Sequence, residues 1–140
     1  MSELAVNGCT FKISSTAGTI EAVSLVATSQ PSQDITINNK GVYFDKVTVV
    51  ITTATIVPTI PVEGTTNTGV LASDSEDING TAGNILELPA GSKAVQKGDK
   101  VTVTKNFTFT TTSSPPSTTE VAMPFTVEVS DAGQTGIIAT

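Results

Sequence analysis

The chain of 140 residues contains no histidine, no tryptophan and no arginine, and it has a single cysteine, Cys9. Without histidine, the many hydroxyl groups and the one thiol lack the usual general base that would activate them as nucleophiles. The soft ligands of a zinc site are missing as well. None of the 13 acidic residues occupies the paired setting of a glycosidase, and the glycine-containing stretches lack the context of a phosphate-binding loop. We therefore expect no enzyme, no catalytic residues, no cofactor and no metal site.

Positive charge is scarce and dispersed. The formal net charge is -6, from seven lysines spread along the chain and 13 acidic residues. Binding to nucleic acid requires a basic stripe that neutralises phosphates, so we expect no nucleic-acid partner. The acidic run "SDSED" at 73–77 has alternate acids at Asp74, Glu76 and Asp77, but it lacks the remaining spaced ligands of a calcium loop. A solvated loop is the favoured interpretation.

Signals for export and membrane insertion are also missing. A lone cysteine cannot form a disulfide within the chain, so the sequence is not that of a disulfide-built secreted scaffold. No stretch approaches the roughly 18 consecutive apolar residues that span a membrane, and the first residues lack the basic and apolar regions of a signal peptide. We expect synthesis in the cytoplasm without a signal peptide.

What the sequence does contain predicts an all-β fold. Threonine accounts for 25 residues, and alternation of apolar and polar side chains recurs along the chain. The length is that of one domain, so we expect a single β domain over 1–140, with a long irregular loop at 58–84 and a hairpin at 101–129. The pattern predicts strands at 9–13, 20–28, 35–37, 42–57, 85–88, 101–110 and 119–129, with a last short strand after a turn in 131–140.

Two details of this assignment stay open in the sequence. Residues 20–28 are compatible with a short helix, although branched residues and missing caps favour a strand. Pro124 lacks the amide that a strand ladder needs, so its strand is expected at a sheet edge or facing solvent on that side.

Turn chemistry separates the predicted strands. Asparagine and glycine accept the positive φ angles that tight hairpin turns require. The residues expected to build structural turns are Asn38, Asn39, Gly41, Gly91, Gly98 and Asp99.

A short internal repeat links two of the turns. The pentapeptide "DKVTV" occurs at 45–49 and again at 99–103, each time after an apolar stretch and a turn that contains glycine. Such repetition predicts structurally related β-hairpins arranged by pseudo-rotation.

Longer stretches around these repeats resemble a known family. "ITINNKGVYFDKVTV" and "AGSKAVQKGDKVTVT" are similar to the repeated unit of the PAAR-repeat proteins, the tips of contractile injection machines. "NGCTF" and "VEVSDAGQTGIIAT" resemble the opening and closing strands of PAAR-like proteins of phage tails and type VI-like secretion systems. Family members carry histidines and a cysteine that bind a metal at the apex; because this chain has no histidine, that metal site is not implied here.

The resemblance implies both a fold and a function. The fold would be a tapered cone of hairpins in a pseudo-threefold arrangement. The function would be that of a structural tip, monomeric when isolated, that caps a trimeric β-helical spike at one tip per trimer. In a virion or an injection-machine baseplate it would help to pierce the target envelope and would touch the membrane only transiently. Taken alone, Tyr43 and Phe44 favour a packing role, with one ring in the core and one at its rim. On the resemblance, the apolar stretch Val42, Tyr43 and Phe44 would dock on the spike.

A second interpretation comes from composition alone. A phage capsid or tail decoration protein, or an adhesion module built as a β-sandwich, fits the threonine-rich strands equally well. Such a protein would bind a repeating lattice at one copy per site.

Overall fold

The computed structural model describes residues 3–82 and 93–134. In these residues it contains eight β-strands and no helix, which confirms the predicted all-β class. The expected strand at 85–88, the turn at Gly91 and the last strand, placed within 135–140, lie outside the described residues. The strands are β1 (Thr10–Ser14), β2 (Gly18–Ala27), β3 (Thr36–Ile37), β4 (Lys40–Gly41), β5 (Lys46–Pro58), β6 (Thr65–Asn79), β7 (Lys100–Thr111) and β8 (Thr118–Asp131).

Six strands form one antiparallel sheet that curls into a nearly closed barrel. The order is β1-β8-β7-β6-β5-β2, and the two outer strands, β1 and β2, lie against each other. The alternative of two stacked sheets is therefore wrong. The remaining strands, β3 and β4, form a separate small hairpin.

The barrel has a pseudo-threefold order. It consists of three consecutive strand pairs along the chain, β1 with β2, β5 with β6 and β7 with β8. The first strand of each pair lies beside the second strand of another pair: β1 beside β8, β7 beside β6 and β5 beside β2. This order follows the predicted pseudo-threefold arrangement for the strands, but β1 and β2 contact each other without the ladder that makes hairpins of the other two pairs.

Large apolar side chains from alternate strand positions fill the barrel. Phe107, Phe109 and Phe125 are almost fully buried, and the rings of Phe107 and Phe125 meet edge to face with their centroids 6.0 Å apart. This geometry is favoured because the ring edge is positive and the ring face negative. The predicted apolar face of 101–109 thus packs in the core, with Val101 and Val103 partly buried against it.

At one level of the barrel, the alternation of inward-facing and outward-facing side chains is interrupted. On β5, Ile51 and Ala54 are fully buried, whereas Thr52 and Thr53 between them are not, and Thr53 has a positive φ of 42°. Neighbouring strands follow the same shift, because Leu25 pairs with Ile51 and Leu71 with Ala54. Each of these strands therefore changes the phase of its apolar face once.

The predicted irregular loop at 58–84 is wrong over most of its length. β6 occupies Thr65–Asn79 and pairs with β5 from Lys46–Asn79 to Ile56–Gly69. The pattern was hidden because β6 crosses the phase shift and carries two acids, Asp74 and Glu76, opposite the buried residues Ile51 and Val49. The "SDSED" run is a strand and not a solvated loop.

Three smaller expectations are also decided. Residues 20–28 form a strand, β2, and not a helix. The long strand expected from Val42 begins at Lys46, because residues 42–45 belong to a different feature described below. β8 is an interior strand, but Pro124 lies beyond the last β1–β8 pair, Ser14–Thr126, so no β1 residue needs its missing amide.

Candidate functional site: a threefold ring

Three short segments close one end of the barrel as a ring. The segments are 3–7, 41–45 and 93–97, and each leads toward the first strand of one barrel pair. Their central residues hydrogen-bond in a cycle. Ala5 N–H donates to Val95 C=O (2.8 Å), Val95 N–H donates to Tyr43 C=O (2.9 Å), and Tyr43 N–H donates to Ala5 C=O (3.2 Å). A cycle of this kind requires three segments related by an approximate threefold axis.

A second cycle surrounds the first. In each segment the amide two residues after the centre donates to the carbonyl two residues before the centre of the next segment. The bonds are Asn7 N to Gly41 O (2.8 Å), Asp45 N to Lys93 O (2.7 Å) and Lys97 N to Glu3 O (2.8 Å). The flanking residues pair in the same cyclic sense, as the bridges Leu4–Gln96, Val6–Val42 and Phe44–Ala94. The pseudo-threefold relation is thus repeated at successive positions of the ring.

A residue with positive φ stands at the end of each ring segment or directly after it. Gly8 (98°), Asp45 (65°) and Gly98 (95°) reverse the chain before β1, β5 and β7 respectively. Both copies of "DKVTV" begin a strand at their lysine, Lys46 in β5 and Lys100 in β7. Both copies therefore span the entry into the first strand of their unit, although Asp45 is the last residue of its ring segment and Asp99 lies beyond its own.

The ring separates two apolar clusters. The side chains of Ala5, Tyr43 and Val95 join the barrel core. The alternate residues of the ring face the other way, together with Ala82, in a second group that we call the cap cluster. Its buried members are Leu4, Val6, Val42, Ala82 and Ala94, and Ile35, Ile37 and Phe44 pack against it while partly exposed.

Residues outside the three segments brace the ring. Val42 N–H donates to Ile35 C=O at 3.1 Å, and Ala94 N–H donates to Ala82 C=O at 2.9 Å. The side-chain amide of Gln134 donates to Leu4 C=O at 3.0 Å. All three segments are thus held on both sides.

The three residues predicted to dock on a partner differ in their exposure. Val42 and Tyr43 are buried, with 0% and 3% of their surface exposed, so they are wrong as a contact surface. Both sit in a ring segment, where successive side chains enter the cap cluster and the barrel core. Only Phe44, which is half-buried at the rim of the cap cluster, remains accessible to a partner.

The predicted turn at 38–41 is present. Asn38 and Asn39 have φ angles of 53° and 66° and connect β3 to β4. Gly41 is required for space, because a Cβ there would lie 2.1 Å from the carbonyl oxygen of Ser32. This hairpin brings Ile35 and Ile37 onto the cap cluster.

Asp99 is the best-connected carboxylate at the ring. It is 7% exposed, and its Oδ2 accepts from Gln96 N–H (2.9 Å) and Thr81 N–H (3.2 Å), while Thr81 Oγ1 donates to Oδ1. It joins the chain leaving β6 to the turn before β7. Together with the positive φ of Gly98, this confirms the predicted turn at 97–99.

Sequence reasoning missed an ion cluster on the barrel wall. Lys105 Nζ lies 3.3 Å from Glu76 Oε2 and 3.8 Å from Asp74 Oδ2. Partial burial, followed by the nearby Asp74, raises the pKa of Glu76, while Glu76 and Asp74 raise the pKa of Lys105. Lys105 falls on the same face as Val103 and Phe107, a placement that could have revealed an inward lysine in need of acids.

The single thiol is suited to packing rather than to chemistry. Cys9 is half-buried beside the barrel core, and burial raises its pKa to about 11. Because the thiolate is the reactive form, this thiol is a weak nucleophile at neutral pH. Among residues 3–82 and 93–134, no three acidic or cysteine side chains converge as a metal site.

Comparisons of the chain with protein-family models, with curated proteins and with solved structures find no match. In the part of the chain that the structure describes, no helix is long and apolar enough to cross a membrane. The geometry of the ring is therefore the main indication of function.

Proposed function

We propose that this protein is a structural cap that seats its ring end on a three-chain spike, one copy per trimer, and leads the spike into a target envelope. The observation that carries the proposal is the double cycle of backbone hydrogen bonds among the three ring segments. An approximate threefold axis within one chain matches the symmetry of a partner made of three identical subunits.

The ring end suits a threefold partner better than the opposite end does. Bonds at equivalent ring positions have similar lengths, 2.7–2.8 Å in the outer cycle. The loops at the other end differ in length, since 15–17 spans three residues while 59–64 and 112–117 span six. A three-chain partner would match the regular end.

Apolar side chains at the ring end provide an anchor. Phe44, Ile35 and Ile37 pack on the cap cluster but keep part of their surface exposed. Aromatic and branched residues at the centre of an interface contribute most of its binding energy. Burying these side chains on the spike would extend the cap cluster into the interface.

Stoichiometry tests this function. The purified protein is mixed with candidate trimeric β-helical spike proteins, and the complex is weighed by native mass spectrometry. We expect one copy per three spike chains. Three copies per trimer, or one copy per site of a repeating capsid or tail lattice, would instead identify a decoration or adhesion protein.

A pair of variants locates the interface. Phe44→Ser should weaken spike binding by about tenfold or more, the scale of a lost interface anchor. Ile60→Ser, at the other end of the barrel, should leave binding unchanged. Thermal melts of both variants serve as the folding control.

A further inference from the structure

The end of the barrel opposite the ring has an unusual distribution of charge. We call this part the hairpin end and define it as residues 13–20, 56–69 and 109–119. Strand pairing aligns its lower boundary, because Ile20 pairs with Ile56, Ile56 with Gly69, and Gly69 with Phe109. Of the seven lysines and 13 acidic residues of the chain, only Glu63 lies in these segments. The other charged residues lie outside these segments, and Lys12, Glu21 and Glu120 directly flank them.

Hydrogen bonds tie the three loops of the hairpin end together. Thr59 N–H donates to Ala17 C=O and Thr112 N–H donates to Gly64 C=O, each at 2.9 Å. A further bond ties the first loop to β8, because Ser15 Oγ donates to Pro124 C=O at 2.5 Å. The three loops thus form one braced surface.

Hydroxyl and amide side chains also satisfy backbone groups inside the longer loops. In the first, Asn67 Oδ1 accepts from Val62 N–H and Thr65 Oγ1 donates to Val62 C=O. In the second, Thr111 Oγ1 accepts from Ser117 N–H. Bonds made within the protein do not need to be replaced when water is removed, so they reduce the cost of entering an apolar medium.

Apolar surface is exposed at this same end. Ile60 is 83% exposed at the tip of its loop, and Val57 is 48% exposed on the adjoining strand. Beside them is an open, mainly apolar cavity of about 350 Å³. Its walls are formed by Thr16, Ala17, Pro58, Thr59, Ile60 and Met123.

From these observations we propose that the hairpin end is a lipid-contacting surface that inserts Ile60 into the interface of an uncharged bilayer. The proposal rests on the proposed function, since a spike on the ring leaves the hairpin end leading. A bilayer is the favoured occupant because it penalises charges and unpaired backbone groups, and this end has one charge and internally bonded loops. Attraction to anionic headgroups is not expected, because the hairpin end has no lysine.

The absence of tryptophan from the chain allows a direct test. Two single-tryptophan variants, Ile60→Trp and Val23→Trp, place the reporter at similarly exposed sites, one at the hairpin end and one on the barrel wall, where Val23 is 76% exposed. Both are mixed with phosphatidylcholine vesicles that contain brominated lipids. We expect a blue shift and quenching for Ile60→Trp alone, unchanged between low and high salt.

A flotation assay checks the result without a foreign reporter. Ile60→Ser should lower the partition of the tryptophan-free chain into phosphatidylcholine vesicles by about tenfold, whereas Val23→Ser should have little effect. Solvent-like emission from Ile60→Trp at saturating lipid, or equal shifts at both sites, would overturn the proposal. Because no spike is present, this failure is distinct from a failed spike stoichiometry. An Ile60→Trp shift on a spike, but not on vesicles, would assign the hairpin end to a protein partner.

Discussion

Asp99 belongs to a turn that the sequence predicts, and its side chain also holds two separate parts of the chain together. Its buried carboxylate accepts two backbone amides and one hydroxyl, and it connects the end of β6 with the turn before β7. Removing part of a buried acceptor leaves a donor without a partner, and hydrogen bonds to charged groups are stronger than average.

We therefore expect Asp99→Asn to lower the free energy of unfolding by about 2 kcal/mol, measured by urea denaturation. Asp34→Asn makes the same change of charge at an exposed position and should cost less than about 0.5 kcal/mol. Equal effects of the two substitutions would contradict the role given to Asp99.

Single residues were predictable where the backbone itself demands a residue type. Asn38 and Asn39 adopt the positive φ angles that their turn requires, and Gly41 allows the close approach of Ser32. Val42 and Tyr43 were misassigned as surface residues because an apolar stretch after a turn is equally typical of a segment buried on both faces. Nothing local distinguishes these cases, since the distinction depends on partners 38 to 52 residues away, Ala5 and Val95.

Among the elements, β6 departs most from its sequence pattern. Alternation of apolar and polar residues with a period of two is the main signal of a half-buried strand. In β6 this alternation is interrupted first at the phase shift, which lies beside Thr53 of β5. It is interrupted again at Asp74 and Glu76, which lie opposite core residues. Lys105 on β7 supplies the positive charge that these acids lack on their own strand. By contrast, β7 and β8 were predictable because their apolar residues recur with a period of two, interrupted only by Lys105, and the "TTSSPPST" turn lies between the strands.

The ion cluster makes the stability of the folded state depend on pH. The pKa of Glu76 is raised by burial and by Asp74, so the folded state binds its proton more tightly than the unfolded state does. Stability is therefore lost as the pH rises from the usual range of a glutamate through the raised pKa. Glu76→Gln mimics the protonated form and should raise the free energy of unfolding at pH 7, by less than about 1 kcal/mol. In urea titrations this gain should disappear at low pH.

Asp77 is the matched control on the same strand. Hydrogen bonds from Thr48 and Lys46 lower its pKa, so its contribution is present above the unfolded pKa and is lost as the pH falls through the folded one. Asp77→Asn should therefore destabilise the protein slightly at pH 7, the opposite sign to Glu76→Gln. The same sign for both substitutions would contradict this account of the cluster.

At the scale of the whole molecule, pseudo-threefold order was expected from a resemblance and from two copies of "DKVTV". The third unit could not be found by repetition, because "LAVNGCTF" at 4–11 shares the ring geometry but not the Asp-Lys sequence. Backbone hydrogen bonds hold the ring, and they place few demands on side chains beyond small or apolar residues facing the two clusters. The threefold arrangement therefore requires few specific residues, and sequence repetition reveals only two of its three units.

The two ends of the barrel divide the molecule chemically. The ring end has two cycles of backbone hydrogen bonds beneath an apolar cap cluster, whereas the hairpin end has one charged residue and internally bonded loops. A cap that docks on a spike through one end and enters an envelope with the other requires two chemically different ends. The spike stoichiometry and the vesicle measurements test these two ends separately.

Amide hydrogen exchange at the ring is the most direct test of the central claim, that three distant segments of one chain close a threefold cycle. The amides of Ala5, Tyr43 and Val95 each donate within that cycle. We expect all three to exchange slowly and with matching free energies of opening, because no one bond can open without disturbing the others. If any one of the three exchanged as fast as the amide of the exposed loop residue Ile60, the ring would be open and the account would be contradicted.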